Sequence, residues 1–371
     1  MRTSFRVARI FGIAIEVHIS WLLIFAVLAW TLSDRVFPAT YEDWTTTEYW
    51  VVGTLAALLL FLTVLLHELA HALVAIRRGL PVPRITLFIF GGVSQLGRQP
   101  ASAREELAIA IAGPITSFIA AAVCLVVAVA ASASEQASAT FGYLAVVNVM
   151  LGAFNLLPGF PLDGGRVLRG LAWERTGSFR QATRLASTVG EYFAYGMLAL
   201  GAFLLLSGLP TNGLWLMLIA WFLLGAARGE LAASQVETAL AKLTAADVLD
   251  GTYGVVGPAS RVADVVEKEL LAQGHRAVLV ASNGRLDGIL TVSDLRKVDR
   301  DHWPATPVSE AMTPAAQVVA VPPNMPAMDV LALISEKRLN QVPVLSNGET
   351  LGLVSRKGLV ERLAISEAVE G

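Results

Sequence analysis

The sequence predicts a polytopic α-helical membrane domain, of about six transmembrane helices with a small re-entrant β element, followed by a C-terminal α/β domain. Three observations predict it. Hydrophobic residues make up 55% of the 371 and charged residues only 16%, against about 25% charged in an ordinary soluble domain. The deficit is confined to residues 1–240, whereas 241–371 read as a globular chain. That second part also repeats itself. The net charge of −2 gives no reason to expect a nucleic-acid partner.

Six segments, near residues 16–33, 50–76, 106–131, 140–157, 188–208 and 213–230, approach the roughly 20 apolar residues needed to cross a bilayer. Between the second and third, residues 84–96 (RITLFIFGGVSQL) are too short to span, rich in strand formers and broken by Gly91-Gly92. They read as a re-entrant hairpin or an edge strand. Basic residues cluster before span one (Arg2, Arg6, Arg9) and after spans two, four and six. The alternate loops hold Asp34, Glu42, Asp43 and Glu48, with Arg35 their only cation. The positive-inside rule then places both termini in the cytoplasm of a cell-membrane protein. A cleaved signal peptide is not expected, because Glu16 and His18 interrupt the first apolar stretch and no A-x-A site follows Trp30. The lone Cys124 cannot form an internal disulfide and reads as a small apolar side chain.

Span two contains LLHELAHAL. Four residues are a little more than one helical turn, so His67 and His71 project from one face and can share a zinc ion. Glu68 stands beside them as a candidate general base. Ionisable groups in the middle of a bilayer cost about 2.5–3.5 kcal/mol each on insertion scales and rarely persist without a function.

A catalytic zinc has three protein ligands and one open position. Span four runs into FNLLPGFPLDGGR, residues 154–166. Pro158 and Pro161 cannot continue a helix, so Asp163 is expected on irregular chain, with Gly164-Gly165 permitting a close backbone approach. Asp163 is the third-ligand candidate and Glu191, at the start of span five, its rival.

The two motifs together, His67-Glu68-x-x-His71 and Asn155-Leu-Leu-Pro-Gly-Phe-Pro-Leu-Asp163-Gly, resemble those of the site-2 protease family of intramembrane zinc metalloproteases, and AGPITS (112–117) resembles that family's third-span motif. The resemblance covers residues 1–230. It implies one zinc per chain on His67, His71 and Asp163, with Glu68 as catalytic base. It further implies that Asn155 helps hold the substrate backbone, and that the strand with Gly91 and Gly92 receives the substrate in extended form. His18 precedes span one, as a histidine does in many relatives, and its role is left open.

In the tail, AVLVASNGRLDGILTVSDL (277–295) aligns with QVPVLSNGETLGLVSRKGL (341–359) at an offset of 64. Asn-Gly between two β-branched runs is a hairpin signal, and each copy has an upstream helix, near 261–273 and 325–338. This repeat resembles paired CBS domains, 241–300 and 301–371, after a membrane domain of 1–240. That resemblance implies an adenine nucleotide as regulatory ligand or a homodimer formed through the pair. Copy one carries Thr291 and Asp294, the pattern that contacts a ribose; copy two has Gly358 where the acid would be.

The expected activity is hydrolysis of peptide bonds within or near the transmembrane segment of a membrane-anchored substrate, such as an anti-sigma factor. A transporter or channel regulated by the CBS pair, or an inactive membrane scaffold, are the alternatives.

Overall fold

Two strands precede the first apolar helix, where composition suggested only a basic flank. In the computed structural model, which describes residues 4–240, 243–250, 253–337 and 339–359, β1 (Ser4–Ile10) and β2 (Ile13–His18) pair antiparallel across Phe11 and Gly12, both at positive φ. Glu16 and His18 therefore belong to a strand. The first helix, α1 (Ile19–Thr31), begins after them and runs on through a π-helical turn, Leu32–Val36. His18 caps α1, its Nδ1 accepting from Ser20 N at 3.2 Å.

Helix α2 (Thr46–Arg77) opens on a reciprocal capping box between Thr45 and Glu48. Its 32 residues give about 48 Å, more than a bilayer's apolar thickness of about 30 Å. Strands β3 (Arg84–Phe88) and β4 (Gly91–Gln95) form the expected hairpin and complete a four-stranded sheet in the order β1-β2-β3-β4, with β2 and β3 parallel. β4 is one of the sheet's two edge strands, β1 being the other. The sheet presses Ile13, Ile15 and Ile85 onto Leu69, Ala72 and Ala75 of α2, which fixes it beside the two histidines.

Helices α3 (Ala103–Ala130), α4 (Glu135–Asn155), α5 (Asp163–Thr176), α6 (Phe179–Leu206) and α7 (Pro210–Leu240) follow. Six helical segments of the described chain, all but α5, are long and apolar enough to cross a membrane. Their most apolar windows are at most 39% buried inside the protein. Leu58, Val126, Val129, Phe203 and Leu206 are exposed, as side chains facing lipid rather than water would be. Two further boundaries differ from the sequence expectation: Glu191 lies inside α6 and not at its start, and the turn after α4 is shorter than expected. Asp163 is the first residue of α5 and not part of irregular chain. Pro161 ends the preceding turn, Leu162 supplies an extended N-cap, and Gly177 in the left-handed region stops the helix.

The chain divides into two compact units, Met1–Ala232 and Ala233–Gly371. The second holds β5 (Gly254–Val256), α8 (Val262–Val265, continued by a π-helical stretch to Leu271), β6 (Ala277–Ser282), β7 (Arg285–Thr291), α9 (Val292–Leu295), α10 (Val308–Ala311), β8 (Thr313–Pro314), α11 (Ala327–Glu336), β9 (Gln341–Ser346) and β10 (Glu349–Ser355). Both Asn-Gly pairs, 283–284 and 347–348, have positive φ at each residue, the geometry a type I′ hairpin turn requires. The two hairpins join edge to edge in the order β5-β6-β7-β10-β9, with β8 against β7.

Candidate metal centre

His67 and His71 stand one turn apart on α2, and both are buried. Their Nε2 atoms lie 3.2 Å apart, and Asp163 Oδ2 is 3.1 Å from the first and 3.2 Å from the second. Among the described residues, these are the group of metal-ligating side chains that converges. Ligands about 2.0–2.1 Å from a tetrahedral zinc are about 3.3 Å from one another. The observed triangle is within a few tenths of an ångström of that, and two nitrogens with one carboxylate oxygen suit zinc. The residues fit the ion.

The far edges of both imidazoles are engaged. His71 Nδ1 lies 2.7 Å from Ile109 O. A carbonyl only accepts, so Nδ1 carries the proton and Nε2 presents its lone pair. His67 Nδ1 lies 2.9 Å from Ser117 Oγ, which can fix the same tautomer. Such outer partners orient metal-binding histidines. Both come from α3, and neither was identified from the sequence, since a backbone carbonyl has no side-chain signature. The usable signal was Gly113-Pro114 inside an apolar helix. Pro114 cannot donate to Ala110 O and loosens α3 at this depth. A β-carbon on Gly113 would lie 2.1 Å from His71 Nε2 and 2.6 Å from His67 Nε2, so only glycine lets α3 pass so close.

Glu68 points toward the sheet. Its Oε2 accepts from Ser94 Oγ of β4 at 2.8 Å, and a β-carbon on Gly92 would meet Glu68 Cγ at 2.4 Å. Gly91, at φ +126°, opens the same strand. Asn155 is the last residue of α4 and donates from Nδ2 to Leu151 O at 3.0 Å. The rival ligand, Glu191, is not with the histidines: its carboxylate pairs with Arg228 Nε at 3.8 Å.

In the second unit, Thr291 and Asp294 meet, as the capping box of α9. Asp294 Oδ2 accepts from Thr291 N and Oγ1 at 3.0 and 2.7 Å, while Oδ1 accepts from Lys297 Nζ and Thr313 Oγ1 at 2.7 and 3.2 Å. Burial works to raise its pKa, but Lys297 and Thr291 together hold the carboxyl below the usual carboxylate range. In the second copy the acid stands elsewhere. A β-carbon on Gly358 would lie 2.0 Å from Asp250 Oδ1, and Ser355 Oγ donates to that oxygen at 3.0 Å. Thr313 sits beside the tail of copy one as Asp250 sits beside the tail of copy two. The carboxylate has changed sides. It faces a cleft of about 890 Å³ lined also by His275, Arg276, Ser355 and Arg356.

Comparison with known proteins gives the family of both parts of the chain. Residues 55–133 and 128–198 match the model of peptidase family M50, and residues 245–301 and 308–365 match that of the CBS domain. A Synechocystis protein named as a zinc metalloprotease, sll0528, is 31% identical over 99% of this chain and 97% of its own length. Rip3 of Mycobacterium tuberculosis, also named as a zinc metalloprotease, is 33% identical over 89% of this chain and 85% of its own. The solved site-2 protease from Methanocaldococcus jannaschii is 30% identical and covers 62% of this chain and 95% of its own, with a TM-score of 0.42. The transporter and scaffold readings are not favoured, since these relatives carry protease names. The chain belongs to peptidase family M50, the site-2 proteases that act as intramembrane zinc metalloproteases on membrane-bound substrates, in a form with a C-terminal CBS pair.

Proposed function

We propose that His67, His71 and Asp163 hold one zinc ion, that Glu68 is the general base, and that the substrate is cut after adding as a strand to β4. The observation that carries this reading is the meeting of three ligand atoms, two on buried histidines of α2 and one on the half-buried Asp163 of α5, within 3.2 Å of one another. Bound there, zinc supplies an activated water and polarises the scissile carbonyl. The chain's own residues do the rest. Glu68 is not a ligand, so its carboxylate is available to take a proton and return it to the leaving amine. Ser94 holds that carboxylate by a hydrogen bond from β4, which ties the base to the edge strand. A transmembrane helix has its carbonyls occupied and must unwind to be cut. The unpaired backbone of an edge strand offers the freed groups new partners. Asn155, where α4 gives way to the turn that leads into α5, is the residue we assign to bonding the substrate's main chain.

The alternation of basic and acidic loops supports a cell-membrane protein with both termini cytoplasmic, and a membrane-anchored regulator such as an anti-sigma factor as its substrate. For the CBS pair we read a regulatory role through an adenine nucleotide. The cleft beside Asp250, whose lining includes His275, Arg276 and Arg356, supplies the cations that a nucleotide's phosphates need. Homodimerisation through the pair is the competing role.

The test is substrate trapping with Glu68→Gln in native membranes, followed by mass spectrometry of what co-purifies. A captured, uncut membrane-anchored protein that the wild type cleaves supports the reading. Normal cleavage by Glu68→Gln overturns it. Calorimetric titration of the full chain in detergent with ATP and AMP decides the tail: heat lost in Asp250→Asn supports the nucleotide site, and a flat wild-type trace leaves dimerisation.

A further inference from the structure

Among the described residues of the membrane unit, Arg169 is the lysine or arginine that is buried, at 2% exposure. It lies on α5, six residues after Asp163, and its guanidinium meets carboxylates from two other helices. Nε donates to Glu106 Oε1 of α3 at 2.6 Å, and Nη2 pairs with the same oxygen. Nη1 donates to Glu230 Oε1 of α7 at 3.1 Å. Two rings lie close to the same group: the centroids of Phe160 and Phe179 are 4.8 and 4.7 Å from Cζ.

Stability alone does not account for this arrangement. Desolvating a buried ion pair consumes most of its Coulombic gain, and apolar side chains of similar volume commonly serve as well or better. What a planar, forked cation adds is geometry, because it fixes distance and rotation together. The partners are telling. Glu106 belongs to the buried stripe of α3 that continues through Ile109, Gly113 and Ser117, spaced so that they share one face. That is the stripe that holds His71 by a carbonyl and His67 by a hydroxyl. Phe160 belongs to the turn that delivers Asp163.

We propose that Arg169 is a positioning residue for the metal centre. By locking α5 and the Phe160 turn to Glu106, it sets where Asp163 stands relative to the two histidines, using α3 as the common reference for all three ligands. This inference rests on the zinc reading above.

The test compares wild type with Arg169→Lys and with the double variant Glu106→Leu/Arg169→Met, all as full chain in detergent. Zinc affinity is read by chelator competition, ligand geometry by the visible absorption of the cobalt-loaded protein, folding by thermal melting, and turnover as separate kcat and KM. Arg169→Lys keeps a buried cation but loses the fork. It is expected to bind zinc about 10-fold or more weakly, to shift the cobalt bands and to lose kcat with KM nearly unchanged. The double variant removes the two fully buried charges and leaves Glu230, whose side chain is 29% exposed, to turn to solvent; it is expected to melt near the wild type while showing the same metal defects. Wild-type zinc affinity and cobalt bands in either folded variant overturn the proposal and leave Arg169 as packing. A wild type that binds no zinc overturns the metal reading itself, which is a different result.

Discussion

A β-carbon added to Gly113 would stand 2.1 Å from Nε2 of His71, the atom that faces Asp163. Helix α3 therefore defines one wall of the metal centre, and the wall has no room for a methyl group. Gly113→Ala is expected to fold and insert normally, since alanine is the better helix former by about 1 kcal/mol, yet to lose its zinc and its cleavage activity. Metal analysis of the purified variant beside a melting curve checks this. Full zinc content would mean that α3 can move away at little cost.

Glu68 sits outside the triangle of candidate ligands, so on the proposed reading the base and the metal should separate on mutation. Glu68→Gln is expected to retain one zinc per chain while cleavage falls at least 10²–10⁴-fold, the usual range for loss of a general base. His67→Ala or Asp163→Ala should lose both zinc and activity, because a ligand and not the base is gone. Zinc content and a gel-based cleavage assay on the same preparations distinguish the two patterns.

Ser117 reaches the proposed zinc site only through His67. Its replacement by alanine leaves the ligands in place but frees the ring, and about 10–100-fold weaker zinc binding is expected, as for other outer partners. Ser94→Ala is expected to behave differently: unchanged zinc affinity, with a lower kcat, since it touches the base. Should Ser117→Ala bind zinc as tightly as wild type, the hydroxyl is not orienting the ring.

In the second unit, Asp294 contributes a dependence on acid. Its folded pKa lies below the ordinary carboxylate value, so the carboxylate's contribution to stability is fully present above the unfolded pKa of about 3.9 and is lost as pH falls through the lower folded value. Asp294→Asn is expected to destabilise β7 and α9 at neutral pH and to flatten their acid sensitivity below about pH 4. Hydrogen exchange of peptides covering residues 285–297 in the full chain, measured for both proteins across that range, checks it.

The two candidate histidine ligands and both tail turns were legible because each had a local cause. Two histidines four apart fall on one helix face whatever surrounds them, and Asn-Gly between β-branched runs turns at positive φ in both copies. The membrane hairpin was legible as strand former plus glycine. What could not be read was set by partners distant in the chain. The β1–β2 hairpin was hidden because Arg6 and Arg9, with the strand's alternation broken by a register shift between Arg6 and Ala8, look like a charged flank until β3 is there to pair with β2. Helix α5 was hidden by the prolines before it. The relocated carboxylate of Asp250 needed the fold to bring residue 250 against residue 358. Glu106 and Glu230 did leave a trace, as acids near the ends of apolar helices, but their common partner Arg169 appears only in three dimensions.

β4 closes the membrane sheet on one side and is followed there by no further strand among the described residues. A protease that accepts its victim as an added strand grips peptide groups, which every residue has, more than it grips side chains. Choice of target then falls on how readily a helix comes undone at the right depth. Cut sites in different targets should share fragile helices, marked by Gly, Pro or Asn, and not a common sequence logo. A target stiffened by alanine or leucine at such a place should escape.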